Sequence, residues 1–429
     1  MPADRQAIIA QFRTMTAANL ALLAGSPAVR GAAELTGGPY EARGGMPAPG
    51  SDTNLPGPRR RRPVSRGRPA PAAVTANTAR EAEADQARRE RRRFMEEWQA
   101  QHGDVVMLSR DDDAFASLYA AVESGEAVEY EHENVLAGSQ NTFGIEIEFE
   151  GADLAAVSRA LAEEGLSARS AGVGGYHGRR FSGKWTVERD SSVTSSNRGG
   201  EVVSPVLKDC RETWEQLEKV CEIIRRCGGQ VTSKCGNHVH ICADPLDARS
   251  FRWSRLMRIW AGFEDVFYRM ASGGESRGVY RGGTFAKPLA MIVPSTFFAD
   301  RETDQTEIRR YLRSRYYGLN FQNANPGDAK NTVEFRLFNG SLEPKQIQAN
   351  VKLAMGAVHA ADICRRSTET TRERNELIPR APMPFGHTAR SGEDPEDHGE
   401  VKKLLDILFV RSQDKAAALW LYASSKWQR

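Results

Sequence analysis

The stretch Phe143-Gly144-Ile145-Glu146-Ile147-Glu148-Phe149 alternates apolar and acidic residues with a period of two. Successive side chains of a strand face opposite ways, so the pattern predicts a strand with Glu146 and Glu148 on one face and Ile145, Ile147 and Phe149 on the other. The same alternation recurs in Gly236-Asn237-His238-Val239-His240-Ile241 and in Thr332-Val333-Glu334-Phe335-Arg336-Leu337-Phe338. Glu-x-Glu alone describes many solvated strands. Three segments that each set charged or imidazole side chains on one face and Ile, Val, Phe or Leu on the other describe a sheet with a reactive face.

Helical spacing fills the intervals. Residues 153–164, 209–227, 250–271, 344–363 and 400–425 carry apolar positions three and four apart, for example Trp214, Leu217, Val220, Cys221 and Ile224. Strands interrupted by irregularly placed helices do not make the regular alternation of a parallel sheet. The expected architecture is therefore α+β, a mostly antiparallel sheet with helices packed on one face and chemistry on the other. The glycine-rich run Gly172-x-Gly174-Gly175-x-x-Gly178 leads into a strand-like segment rather than a helix, which argues against a dinucleotide loop and favours a hairpin.

Composition divides the chain. Residues 1–135 are rich in Ala, Gly, Pro and Arg with little periodic hydrophobicity, and are expected to be largely disordered apart from a helix at 80–101. A catalytic domain is expected over 140–365, a polar linker over 366–399 and a C-terminal helix over 400–429. The net charge of +3 conceals an asymmetry, since residues 1–100 hold 16 arginines and no lysine against ten acids. Arg59-Arg60-Arg61-Arg62 is the peak of that excess, the one segment expected to attract nucleic acid, and reads equally as a solubilising tail. No run approaches the roughly 18–20 apolar residues of a membrane span. With no evident signal peptide and six unevenly spread cysteines, the expectation is a cytoplasmic protein with reduced thiols.

Hard cations such as Mg2+ take oxygen ligands and accept a few carboxylates together with substrate phosphates. Glu146 and Glu148 meet that need, and Glu201, just before Val202-Val203-Ser204-Pro205, can project onto the same face. Asp190 sits in a turn context where it caps the turn or joins the site, and Glu188 is its competitor. Lys234-Cys235-Gly236-Asn237-His238-Val239-His240-Ile241-Cys242 also admits a zinc reading, although on a strand Cys235 faces away from the histidines. Glu334 and Arg336 can pair a cation ligand with a guanidinium that grips phosphate. Arg315 and Asn320 lie within reach of a ligand or serve a cap or ion pair. The loop 272–287, with Arg277, Arg281 and Lys287 among five glycines, is either a surface excursion or an anion-binding lid.

In order, Phe-Gly-Ile-Glu-Ile-Glu-Phe at 143–149, Asp190-Ser191 with Glu201-Val202-Val203-Ser204-Pro205, Cys-Gly-Asn-His-Val-His at 235–240, Arg-Tyr-Tyr-Gly-Leu-Asn at 315–320 and Glu-Phe-Arg at 334–336 resemble the amidoligase family. That family looks like a branch of the glutamine synthetase and glutamate–cysteine ligase superfamily, and the resemblance covers about residues 140–365. It implies a curved antiparallel sheet and an ATP-dependent carboxylate–amine ligase that works through an acyl phosphate with Mg2+ or Mn2+. It further implies metal ligands at Glu146, Glu148, Glu201, His238, Glu334 and Asp190. Catalytic roles fall to Arg336, His240 and Glu148, and nucleotide contacts to His240, Arg336, Arg315, Asn320 and Lys234. The implied partners are ATP, a carboxylate and an amine. The family's usual Asp-Gly-Ser turn stands here as Asp190-Ser191-Ser192. Two rivals remain at this stage: a non-catalytic nucleotide- or metal-binding module of a nucleoprotein assembly, and a zinc-dependent hydrolase built on His238 and His240.

Overall fold

In the computed structural model of the chain, the two-residue alternations become the central strands of one sheet. The described residues are 71–103, 105–175, 182–194, 196–275, 285–289, 304–362, 369–379 and 398–426, all within the unit Pro69–Arg429. Helices α1 (Pro71–His102) and α2 (Asp112–Ser124) precede β1 (Phe143–Glu150). Then come α3 (Leu154–Glu163), β2 (Val173–Gly174), β3 (Thr186–Glu188), β4 (Gly199–Val203), α4 (Arg211–Arg226) and β5 (Gly236–Cys242). The short α5 (Asp244–Asp247), α6 (Ser250–Ala271) and α7 (Gln305–Tyr311) lead to β6 (Leu319–Asn320) and β7 (Thr332–Asn339). Helices α8 (Pro344–Asp362), α9 (Glu369–Leu377), α10 (Gly399–Leu408) and α11 (Ser412–Ala423) follow.

The sheet order is β2-β3-β4-β1-β5-β7-β6. Only β2 and β3 pair in parallel; every other neighbouring pair is antiparallel. The hairpin expected around the glycine run is thus corrected. Val173 lies in register with Val187 in parallel, which a tight turn cannot produce because its strands run in opposite directions. The Gly178 end of that run, residues 176–181, lies outside the described residues.

Ile145, Ile147, Phe149, Val187, Val202, Val239, Ile241, Val333, Phe335 and Leu337 are each at most 1% exposed. They form the apolar face, against which α8 packs at β5, α6 at β7 and α3 at β3. Aromatic contacts anchor this layer: Trp214 stacks on Phe143 with centroids 5.5 Å apart, and Trp260 meets Phe335 edge-on at 6.0 Å. Gly200 lets β4 enter tightly beside β3, since a Cβ there would lie 2.4 Å from the Glu188 carbonyl oxygen. This close approach fixes where the next residue, Glu201, sits.

The packed body begins well before residue 135. Asp111 caps α2 by accepting from the Ala114 amide at 2.8 Å, and Gly125 ends it in the left-handed conformation at φ 82°. Phe115, Leu118 and Val122 are buried where α2 packs on α11. Helix α1 encloses the 80–101 segment and brings Trp98 to 3% exposure. The expected linker contains α9, whose Arg374 is buried and donates to the Asp406 and Ile407 carbonyl oxygens. The single C-terminal helix expected over 400–429 is two helices, because Phe409 turns to extended backbone. Among the described residues no helix is long and apolar enough to cross a membrane.

Candidate active site

Antiparallel register places the charged residues of five strands side by side. Glu148 of β1 pairs with Glu201 of β4, and Glu201 with Glu188 of β3. On the other side Glu146 pairs with His238, His240 with Glu334, and Glu334 with Asn320. The register shifts between Asn237 and Val239. Along β7, Phe335 to Phe338 spans one residue more than the facing Val239 to Asn237, so β7 carries a bulge opposite His238. A bulge of this kind re-aims side chains at a site. Here it leaves Glu334 and Arg336 on the polar face while Leu337 and Phe338 are both buried.

Hydrogen bonds then fix the individual groups. Glu146 sets one carboxylate oxygen 2.8 Å from His238 Nδ1 and the other 3.1 Å from His240 Nε2. Glu148 accepts from the Gly236 amide at 2.6 Å and lies 3.6 Å from His238 Nε2. Glu334 accepts from Asn320 Nδ2 at 2.7 Å and from Arg336 Nη1, and its carboxylate is 3.8 Å from His238 Nδ1. Asn320 is itself held, its Oδ1 accepting from the Gln322 amide at 2.9 Å. Glu146, His240 and Glu334 offer ligand atoms that all lie within 4.8 Å of one another.

The face is overcharged with carboxylates. Glu146, Glu148, Glu188, Asp190, Glu201 and Glu334 are all buried, with Arg336, His238 and His240 as their cationic or imidazole neighbours. Burial pushes Glu201 up, and Glu146, Glu148, Asp190 and Glu188 push the same way, so its carboxyl stands well above the usual range. Burial likewise raises Glu148, against the opposing pull of His238 and the Gly236 amide. At Glu146 burial is overcome by His240 and His238, which hold the carboxyl well below its ordinary value. Glu334 is lowered too, because His240 and Arg336 outweigh its burial. Crowded buried carboxylates are stable only when a proton or a cation offsets them.

Each expected residue has a definite place. Glu146, Glu148, Glu201, His238, His240, Glu334, Arg336 and Asn320 converge on the face. Asp190 is 7% exposed and acts on Glu148 and Glu201, while its Oδ1 also accepts from the Ser192 amide at 2.7 Å and hydroxyl at 2.6 Å. It therefore caps its turn and adds its charge beside Glu148 and Glu201. Glu188 is 1% exposed and directly beside Glu201. Its signal was the Thr186-Val187-Glu188 alternation, in phase with Glu201 only once the strands pair. Lys234 stays at the margin, its side chain 63% exposed and 3.5 Å from Glu150. Arg315 contacts Tyr316. The central part of the 272–287 loop, with Arg277 and Arg281, lies outside the described residues.

Among the described residues no cysteine joins the cluster of Glu146, His240 and Glu334. Cys235 is buried, with Sγ 3.8 Å from Thr232 Oγ1, and burial pushes its thiol up to about 11. A thiol so raised is a packed core group.

A family model described as "Putative amidoligase enzyme" matches residues 139–279 and 295–358. No curated protein matches the chain. Among solved structures, a bifunctional glutathione synthetase from Pasteurella multocida is similar at TM-score 0.34 and 11% identity, over 66% of this chain and 46% of that one. The chain spans about half the length of that structure, and a likeness this distant carries no argument about fold or activity.

Proposed function

We propose that the chain is an amide-bond-forming ligase that uses ATP and divalent cations to join a carboxylate to an amine, on a sheet of the glutamine synthetase and glutamate–cysteine ligase kind. The observation that carries this reading is the surplus of buried carboxylates around Glu146, His240 and Glu334. Nothing in a structural core calls for six such groups on one sheet face, whereas cation-bridged phosphates do. The family match over residues 139–279 and 295–358 points the same way.

The donor set fits hard divalent cations, being mainly carboxylate oxygens with imidazole. Glu146, His240 and Glu334 would hold one ion, with His238 beside them. Glu148 and Glu201 would hold another, with Glu188 and Asp190 adjacent. Bound there, Mg2+ or Mn2+ supplies charge neutralisation for phosphoryl transfer. This set moves His240 from the phosphate contact expected of it to the ion-holding group.

The chain's own groups then have separable tasks. Arg336, anchored on Glu334, presents its remaining N–H donors to phosphoryl oxygens. Asn320 keeps the Glu334 carboxylate oriented. A carboxylate substrate attacks the γ-phosphorus and ADP leaves, giving an acyl phosphate. The amine nitrogen then attacks the acyl carbon, phosphate departs and the nitrogen sheds a proton. The rise in charge during transfer is what Arg336 and the ion-holding face offset.

Thermal unfolding with magnesium and ATP tests the site. The melting temperature is expected to rise by several degrees with both present, since one hundred times Kd of ligand stabilises by about 2.7 kcal/mol. It should return to the ligand-free value when a chelator is added. No shift with any combination of ATP, Mg2+ and Mn2+ would count against the assignment.

A further inference from the structure

Among the described residues, four large apolar side chains are exposed, and Phe285 at 48% is one of them. A single exposed phenylalanine needs no explanation; its position does. The Phe285 carbonyl accepts from Arg336 Nε at 3.4 Å, so the residue adjoins the guanidinium that holds Glu334. Its ring meets Tyr316 edge-on, with centroids 5.5 Å apart at 76°. The Arg315 guanidinium lies 5.1 Å from the Tyr316 centroid, and its Nη2 donates to the Tyr316 hydroxyl at 3.2 Å.

The backbone makes this rim part of the sheet. The Lys287 amide donates to Tyr316 at 2.9 Å, Gly318 to Lys287 at 3.0 Å, and Arg336 to Gly318 at 2.8 Å. From the helical layer, the Tyr268 hydroxyl donates to the Ala286 carbonyl at 3.1 Å. A Cβ on Gly318 would lie 2.1 Å from that hydroxyl, so glycine is what lets the segment close on α6.

The polar face is electrically uneven. Toward β3 and β4 it holds Glu148, Glu188, Asp190 and Glu201; toward β5 and β7 the imidazoles and Arg336 join Glu146 and Glu334. A polyanion is repelled by the first end and held by the second. The far side of that second end is the aromatic rim.

Resting on the ligase reading, we infer that Phe285 and Tyr316, with Arg315 beside them, form the platform on which the nucleotide base stacks. The triphosphate then runs past Arg336 toward Glu146, His240 and Glu334. Aromatic faces bind any base through its π-surface, and a neighbouring guanidinium adds to the stack. The acidic end stays with the second cation that Glu148 and Glu201 would hold.

Calorimetric titration of the full chain with magnesium–ATP and with magnesium–tripolyphosphate tests this, since the two share phosphates and differ by the nucleoside. The wild type should bind ATP more tightly than tripolyphosphate. Phe285→Ala should weaken ATP about tenfold and leave tripolyphosphate within about twofold, with Phe285→Trp restoring ATP binding. Tyr316→Leu should weaken ATP in the same selective way. Equal loss of both ligands in Phe285→Ala would show that the residue only supports Arg336, and unchanged ATP affinity would show that the ring does nothing; either overturns the inference. If the wild type binds tripolyphosphate as tightly as ATP, the platform is refuted while the ligase site stands. If it binds neither, the ligase reading fails and the platform with it.

Discussion

Glu146→Gln is expected to lower ATP-dependent turnover by at least about 100-fold, the upper end of what loss of a supporting group around a metal costs, with Glu334→Gln behaving alike. Glutamine keeps the size of the side chain and removes its charge. It also presents an amide N–H2 where His238 and His240 now meet carboxylate oxygen at 2.8 and 3.1 Å. Both consequences strike the cluster where Glu146, His240 and Glu334 converge. The fold should survive with a lowered melting temperature: the contacts with His238 and His240 that hold the Glu146 carboxyl below its ordinary value are weakened, and relief of its repulsion on Glu201 offsets part of that loss. Thermal unfolding in chelator separates the two effects: the variant should still unfold in one cooperative transition, below the wild-type temperature, while losing the shift caused by magnesium and ATP. A variant that keeps both turnover and that shift contradicts the role given to Glu146.

The second large effect is on stability and lies far from the site. Asp406→Ala is expected to destabilise the protein by about 3–5 kcal/mol, the cost of leaving a buried ionic partner uncompensated. Asp406 is fully buried and takes the Lys415 ammonium at 2.7 Å. Its carboxylate also accepts from the amides of Leu108 and Ser109 at 3.0 and 2.8 Å and from the Ser109 hydroxyl at 2.6 Å. One side chain thus joins the segment before α2 to helices α10 and α11. Burial lowers the Lys415 pKa, and Asp406 opposes that drop. Chemical denaturation measures the loss, and the double variant Asp406→Leu with Lys415→Met should recover part of it, since apolar replacement of both partners removes the stranded charge. A loss below about 1 kcal/mol in the single variant would place Asp406 among ordinary surface-type pairs.

The reactive face was legible because a strand's period of two is the strongest local signal a sequence carries, and Glu146, Glu148, His238, His240, Glu334 and Arg336 all lie on such alternations. What joins them is not local. Register between β3 and β4 puts Glu188 against Glu201, and register between β5 and β7 brings Glu334 against His240; neither can be read until the strands pair. Asn320 shows the same limit, since its partner Glu334 is fixed only by β6–β7 register. Composition misled in the other direction. The alanine- and arginine-rich character of residues 1–100 masks the change at 105–135, where Asp111 as a cap, Phe115 and Leu118 at helical spacing and Gly125 as a stop spell α2. Its anchor, Asp406, lies some 300 residues away, where no local reading can find it.

Release of ADP is the measurement closest to the central claim. The full chain, incubated with magnesium and ATP and with pools of carboxylates and amines, should form ADP above the rate without protein only when both a carboxylate and an amine are supplied, and should stop doing so when the magnesium is chelated. ADP formation that no pool stimulates would contradict the account of this face as a ligase site.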